Sequence, residues 1–205
     1  MKKYGLSLIT IILLLSSLSC DDVYEMEETI FVPDENNKNL PAYTEWGYNS
    51  FGAMYERMYF FATKTIVPCK ILYQNGIMTF TLTGRIGSNH SSGSSGEEMT
   101  LYFSFPVDEA VNSYKDLMML HQKRINFTDS SCNVKMVRKS VDEDITVLSG
   151  SNLFFKRVQL LRINDKENRA ILSGTFELTF LRNQLPEVLS YGRFDVGITH
   201  LFILP

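Results

Sequence analysis

Residues that bind metals or run redox chemistry are scarce in this chain. Its three histidines, His90, His121 and His200, are scattered, and no CxxC, HExxH or other Cys/His spacing occurs. No metal site is therefore expected. A P-loop, a GxGxxG turn and an EF-hand loop are also missing, which removes the usual signatures of nucleotide, dinucleotide and calcium cofactors; none is expected. Gly93-Ser94-Ser95-Gly96 is not the G-x-S-x-G elbow of serine hydrolases, and it lies in a Gly/Ser-rich loop. The chain lacks a basic stripe, so nucleic acid has no face to bind. It also lacks a membrane-spanning run: Leu6 to Leu15, interrupted by Ser7 and Thr10, falls short of the ~20 apolar residues a crossing helix needs. No internal repeat of solenoid period is present.

What is there begins at the N-terminus. Lys2 and Lys3 precede the apolar run, and Ser16, Ser17 and Ser19 follow it, ahead of Cys20. This order predicts an export signal over residues 1–19. Ser17-Leu18-Ser19-Cys20 resembles a bacterial lipobox, with Ser17 where that motif usually has Leu. The resemblance implies that Cys20 is diacylated and becomes the new N-terminus; ordinary cleavage after the small-x-small pair Ser17-x-Ser19 is the alternative. Each buried methylene contributes ~0.8 kcal/mol, so two chains anchor stably where one is marginal. Residues 20–41 read as a lipid-anchored acidic tether. Positions 21–35 hold seven acids and no Lys or Arg, while outside that stretch and the leader 16 acids face 18 bases. Asp21-Asp22 is similar to the acidic address behind the cysteine in surface lipoproteins of Gram-negative gut bacteria. The expected location is the outer membrane, lipid-anchored, at the cell surface or otherwise facing the periplasm.

Residues 42–205 read as a single β-rich domain. A composition of 44% hydrophobic and 21% charged residues suits a packed globular body. Lys70 to Gln74 and Ile77 to Gly84 flank Asn75-Gly76, a pair that accepts the positive φ angles of a two-residue hairpin turn. Strict alternation recurs in Met99 to Phe105 and Leu172 to Phe180, and again with Phe194, Val196 and Ile198 opposite Arg193 and Asp195. Asn152 to Ile163 and Arg169 to Leu181 form a second hairpin across Asp165 to Asn168. Ala110, Val111, Tyr114, Leu117 and Met118 fall at helical spacing and predict one α-helix over Asp108 to His121. The expected fold is mainly β: an antiparallel sandwich or barrel of about eight to ten short strands, covered by that helix. The apolar tail Leu201 to Leu204 is expected to dock, because an exposed apolar tail invites aggregation. With Cys20 lipidated, Cys69 and Cys132 remain, either as a disulfide permitted by export or as two buried free thiols.

Candidate binding residues are few. Trp46, Tyr48, Tyr55 and Tyr59 form an aromatic cluster that could serve as a sugar-stacking platform or pack into the core. Glu45, Glu177 and Asp195 are the carboxylates a glycosidase-like pair would draw on, although each reads more simply as an outward-facing residue. Arg193 and Asp195, two apart on one strand, share a face and can pair there. Thr44-x-x-Gly47-x-Asn49-Ser50-Phe51-Gly52 resembles the opening motif of uncharacterised lipoproteins of Gram-negative gut bacteria. Ser190-Tyr191-Gly192-Arg193-Phe194-Asp195-Val196 is similar to their closing strand. The resemblance implies a β-rich envelope lipoprotein and brings no catalytic residues. The expected function is a non-enzymatic binding or accessory module for a glycan, a peptide or another envelope protein, held at the membrane by its lipid. A carboxylate-dependent hydrolase of envelope or dietary polymers and a lipocalin-like carrier are the alternatives.

Overall fold

Alternating apolar and polar residues become strands almost throughout. The computed structural model describes residues 28–64, 66–89, 96–163 and 166–204. The expected export signal, Cys20, the acids up to Glu27, His90 and residues 164–165 lie outside the described residues. The early strands are β1 (Ser50–Tyr55), β2 (Met58–Phe61), β3 (Cys69–Gln74), β4 (Ile77–Gly87) and β5 (Glu97–Pro106). After a short helix come β6 (Lys123–Asn126), β7 (Asn133–Arg138), β8 (Val141–Glu143) and β9 (Ile145–Val147). The long strands β10 (Asn152–Ile163), β11 (Lys166–Arg182) and β12 (Leu185–Ile198) follow, and β13 (Leu201–Leu204) ends the chain.

Among the described residues thirteen strands join one open sheet, whose main path runs β6-β10-β11-β12-β1-β2-β4-β5-β7-β8. Among the described residues every ladder is antiparallel except β13 on β3, which is parallel. The strands outnumber the expected eight to ten because short segments such as β8 and β9 pair separately. Only Asp144 separates those two, yet β8 pairs with β7 and β9 pairs with β11. A single segment, 141–147, thus passes from one end of the path to β11, the third strand from the other end.

The Asn75-Gly76 hairpin forms as its sequence predicts, with Gln74 opposite Ile77 and φ of 50° and 79° at the two turn residues. The predicted alternation in β11 holds from Gly174 on, with Gly174, Phe176, Leu178 and Phe180 buried; Leu172 is buried as expected, but Ser173, expected on the wet face, is buried too, where it bonds Asp195. The core is a stack of phenylalanines. Phe80 of β4 meets Phe155 of β10 and Phe194 of β12 at centroid distances of 5.3 and 5.1 Å, and Phe103 of β5 meets Phe176 of β11 at 5.8 Å. Rings from β4 and β5 thus close against rings from β10 to β12, contributing burial and edge-to-face attraction together.

The predicted α-helix is corrected. Residues 114–120 form a 3-10 helix, and residues 108–113 precede it as irregular chain. The buried residues Leu117 and Leu120 and the core-packed Tyr114 are spaced by three, which matches three residues per turn. Met118, placed on the buried face by a 3.6-residue period, is exposed instead. The Asp116 carboxylate accepts the backbone N–H groups of Asn112 and Ser113 at 2.9 Å each, which fixes the chain just ahead of Tyr114.

Residues 28–41, read as tether, are bound to the body. Leu40 is 1% exposed, Ile30 N–H donates to the Tyr48 carbonyl, and Arg193 reaches Asp34 at 2.5 Å. The tail is only half docked. Its backbone pairs with β3 and Leu201 packs on the core, but Phe202, Ile203 and Leu204 stay exposed.

Candidate functional site

The residues singled out by sequence divide among three places, and the first is a cage around Asp195. Expected to face outward, Asp195 is 1% exposed. The loop before β1 folds over it, and its carboxylate accepts hydrogen bonds from Thr44 Oγ1 at 2.6 Å and from the backbone N–H groups of Trp46, Gly47 and Tyr48 at 3.0, 2.8 and 3.3 Å. Ser173 Oγ on β11 adds a fifth donor at 3.0 Å. Gly47 takes φ of 77°, a left-handed value that glycine adopts without steric cost and that brings its N–H onto the carboxylate. Asn49 completes the clasp by accepting Gly197 N–H at 2.8 Å. The opening and closing motifs of the sequence therefore meet in space. Five donors satisfy this carboxylate, so it is a structural clasp rather than an available acid or base. It does not pair with Arg193, which turns to Asp34 instead.

The second place is an ion cluster at the far end of β1. Tyr55, expected beside Trp46, is 2% exposed, and β1 separates the two by roughly 17 Å at ~3.3 Å per residue. The Tyr55 hydroxyl donates to Glu187, whose carboxylate also takes Arg182 through three contacts of 2.6 to 3.0 Å. Arg138 on β7 donates to Glu97 at 2.8 Å and its guanidinium lies over the Tyr55 ring, while Arg182 reaches Glu143 on β8 at 3.6 Å. Burial, reinforced by the hydrogen bond to Glu187, pushes the Tyr55 hydroxyl up to about 12. Desolvation raises the Glu187 carboxyl, but Arg182 and Tyr55 outweigh it and hold it below the ordinary glutamate range. The cluster ties β5, β7 and β8 to β1, β11 and β12.

The third place is a cleft on the outer face of β10, β11 and β12. Tyr43, Arg124, Asn152, Glu177, Tyr191 and Arg193 line a hollow of about 360 Å³. A neighbouring hollow of about 460 Å³ is lined by Asp34, Asn36, Asn37, Leu40 and Met54, and it shares Tyr191 and Arg193 with the first. Tyr191 is 62% exposed and takes φ of 55°. That left-handed value is uncommon for a bulky residue. It arises at a bulge common to both flanking ladders: between Leu189 and Gly192 the register of β12 slips against β11, and between Ser190 and Arg193 it slips against β1. The slip turns the Tyr191 ring outward, and Arg193 Nε holds the Tyr191 carbonyl at 3.3 Å. On the opposite wall, Tyr43 donates to Glu45 at 2.9 Å and its ring carries Lys156 at 4.5 Å. Burial and that carboxylate raise the Tyr43 hydroxyl well above the ordinary tyrosine value.

The expected four-residue aromatic platform is not one surface. Trp46 is 74% exposed on the clasp loop, Tyr48 and Tyr59 are half-buried, and Tyr55 is inside the ion cluster. Tyr43 and Tyr191 are the pair the fold brings to a common cleft. The parity of β12 carries the signal for it: Leu189 and Phe194 are both buried although five apart, and strict alternation forbids that without an inserted residue. Of the candidate carboxylates, Glu45 bonds Arg157 at 2.7 Å and Tyr43, Glu177 lies exposed in the cleft, and Asp195 is caged. Of the two readings for Cys69 and Cys132, the structure has the free thiols and not the disulfide: Cys69 is buried on β3 and Cys132 half-buried ahead of β7. Among the described residues no group of three His, Cys, Asp or Glu side chains is placed to hold a metal ion. Set against known proteins, the chain matches no family, no curated sequence and no solved structure.

Proposed function

We propose that the protein is a lipid-anchored binding module of the bacterial cell envelope, displayed at the outer surface, that engages a glycan through the Tyr191 cleft. One observation carries this reading: a strained, outward-turned tyrosine stands between two hollows whose walls mix aromatic rings with amide, carboxylate and guanidinium groups. Concave sites with a few convergent polar groups are the usual form of small-ligand sites. The hydrolase alternative draws less support. A glycosidase flanks its bond with two carboxyl groups; Glu177 lines the first hollow, and Asp34 in the second is held by Arg193. The carrier alternative needs an empty interior where this chain packs phenylalanine rings.

Anchoring rests on the leader and Cys20, and kinship with the uncharacterised gut lipoproteins rests on the two motifs that the Asp195 clasp joins. For architecture we propose a sandwich whose corner is the segment 141–147, since strands that switch partners mid-course make such corners. The test combines three readouts on cells. Fatty-acid labelling is expected for the wild type and lost in Cys20→Ala; protease added to intact cells is expected to remove the domain; and the released domain is expected to bind a glycan array through Tyr191. Unlabelled, protease-resistant protein sinks the anchored surface reading, and an array left blank sinks the glycan reading.

A further inference from the structure

We infer that the cleft is a two-subsite site for an uncharged oligosaccharide, which runs across Tyr191 with one sugar unit in each hollow. The inference rests on the glycan-binding reading and adds the length and charge of the ligand. The two hollows, of about 360 and 460 Å³, share the Tyr191 and Arg193 wall. Each lies near the small end of the range for small-molecule sites, roughly 300–1,000 Å³. A ligand that uses both must be a chain of units, and its link must cross the tyrosine. The bulge keeps that ring standing between the hollows, and both flanking ladders hold the bulge in place.

Charge fixes the second part. Arg193 is already neutralised by Asp34 at 2.5 Å. Of the other charged groups lining the first hollow, Arg124 and Glu177 are of opposite sign. The walls thus carry no excess charge to attract an anionic or cationic ligand. Thr175 in one hollow and Asn36 in the other offer donors and acceptors suited to hydroxyl groups, and Asn152 keeps one amide hydrogen and one carbonyl lone pair beyond its bonds to Gly150 and Arg124. An extended peptide is disfavoured, because β12 is paired on both sides and has no free edge to add a strand to.

Isothermal titration of the full chain in detergent, against the mono-, di- and tetrasaccharides of glucose, mannose and xylose, tests the inference. In at least one series the disaccharide is expected to bind about tenfold or more tightly than its monosaccharide. Tyr191→Ala is expected to lose about tenfold or more in affinity with its thermal unfolding midpoint retained, while Tyr191→Phe keeps the ring and keeps binding. Equal affinity for mono- and disaccharide overturns the two-subsite inference and leaves the glycan-binding reading standing. Tighter binding of glucuronate or glucosamine oligomers than of the neutral series overturns the charge assignment. If none of the three neutral series binds, the inference fails outright, whatever the array shows.

Discussion

Asp195 shows how much one side chain can organise. A buried carboxylate with five donors around it stabilises only while all its bonds are made, because each donor left bare in the interior costs about 1–3 kcal/mol. Asp195→Ala would strand three backbone N–H groups of the clasp loop together with Thr44 and Ser173. Urea unfolding is expected to show a loss of about 3 kcal/mol or more, and Trp46 fluorescence should report the loop coming free. Tyr191 presents the opposite case, a residue that is costly for the fold and useful for binding. Its left-handed backbone costs about 1–2 kcal/mol that glycine would not incur. Tyr191→Gly is therefore expected to unfold at the same or higher urea concentration while losing glycan binding. A marked fall in stability would show that the ring, not the backbone, is what the fold needs there.

Elements are set by spacing, and glycines mark where neighbours come close. A Cβ on Gly174 would meet the Phe154 carbonyl oxygen at 2.0 Å and Phe194 Cζ at 2.6 Å, and neither the ladder nor the ring stack can give way. Gly174→Ala is expected to cost about 3 kcal/mol, at the upper end for overpacking. Gly76→Ala meets no atom and costs only its positive φ, about 1–2 kcal/mol. Equilibrium unfolding of both variants checks the order, and a reversed order would refute the close approach at Gly174. A strand with clean alternation, such as β5, was legible in sequence because a single face is buried, whereas β11 buries Ser173 on its other face as well. The helix was misread because a five-residue set can satisfy a 3.6-residue period while the packed side chains actually repeat every three. The tail was half legible: its hydrophobicity signals docking, but it docks through its backbone on β3 and the Leu201 side chain, leaving Phe202, Ile203 and Leu204 exposed.

Across the whole molecule, the ion cluster is what joins strands distant on the path, and it makes stability depend on pH at both limits. Hydrogen bonds from Arg138 hold Glu97 below its ordinary 4.5, and Glu187 is likewise lowered by Arg182 and Tyr55 against its desolvation. Backbone N–H groups and Arg193 do the same for Asp34 against its ordinary 3.8. With the folded values lowered, the unfolded chain binds more protons on acidification, so this stabilisation is complete above about pH 4.5 and is lost as pH falls through the folded values. At the alkaline limit Tyr55 has an ordinary value of 10.0 and a folded value of about 12. Between them the folded state keeps a proton that the unfolded chain releases, so stability falls from pH 10 to 12. Tyr43 adds to the same slope. Thermal unfolding across the pH range is expected to show both limbs. Tyr55→Phe with Tyr43→Phe should flatten the alkaline one and trim from the acid one only the share that Tyr55 gives to Glu187 and Tyr43 to Glu45, leaving that of Glu97 and Asp34; an unchanged alkaline slope would refute the assignment.

The sequence by itself determined the β-rich class, the Asn75-Gly76 hairpin, the inward faces of the long strands and the expectation of export, because each depends on residues close together in the chain. Only the tertiary structure decided the rest. Burial of Asp195, the pairing of Arg193 with Asp34, the removal of Tyr55 from the surface and the meeting of Tyr43 with Tyr191 join positions many residues apart. Such contacts depend on strand order and on where a bulge shifts register, and neither leaves a local signature beyond the broken parity between Leu189 and Phe194.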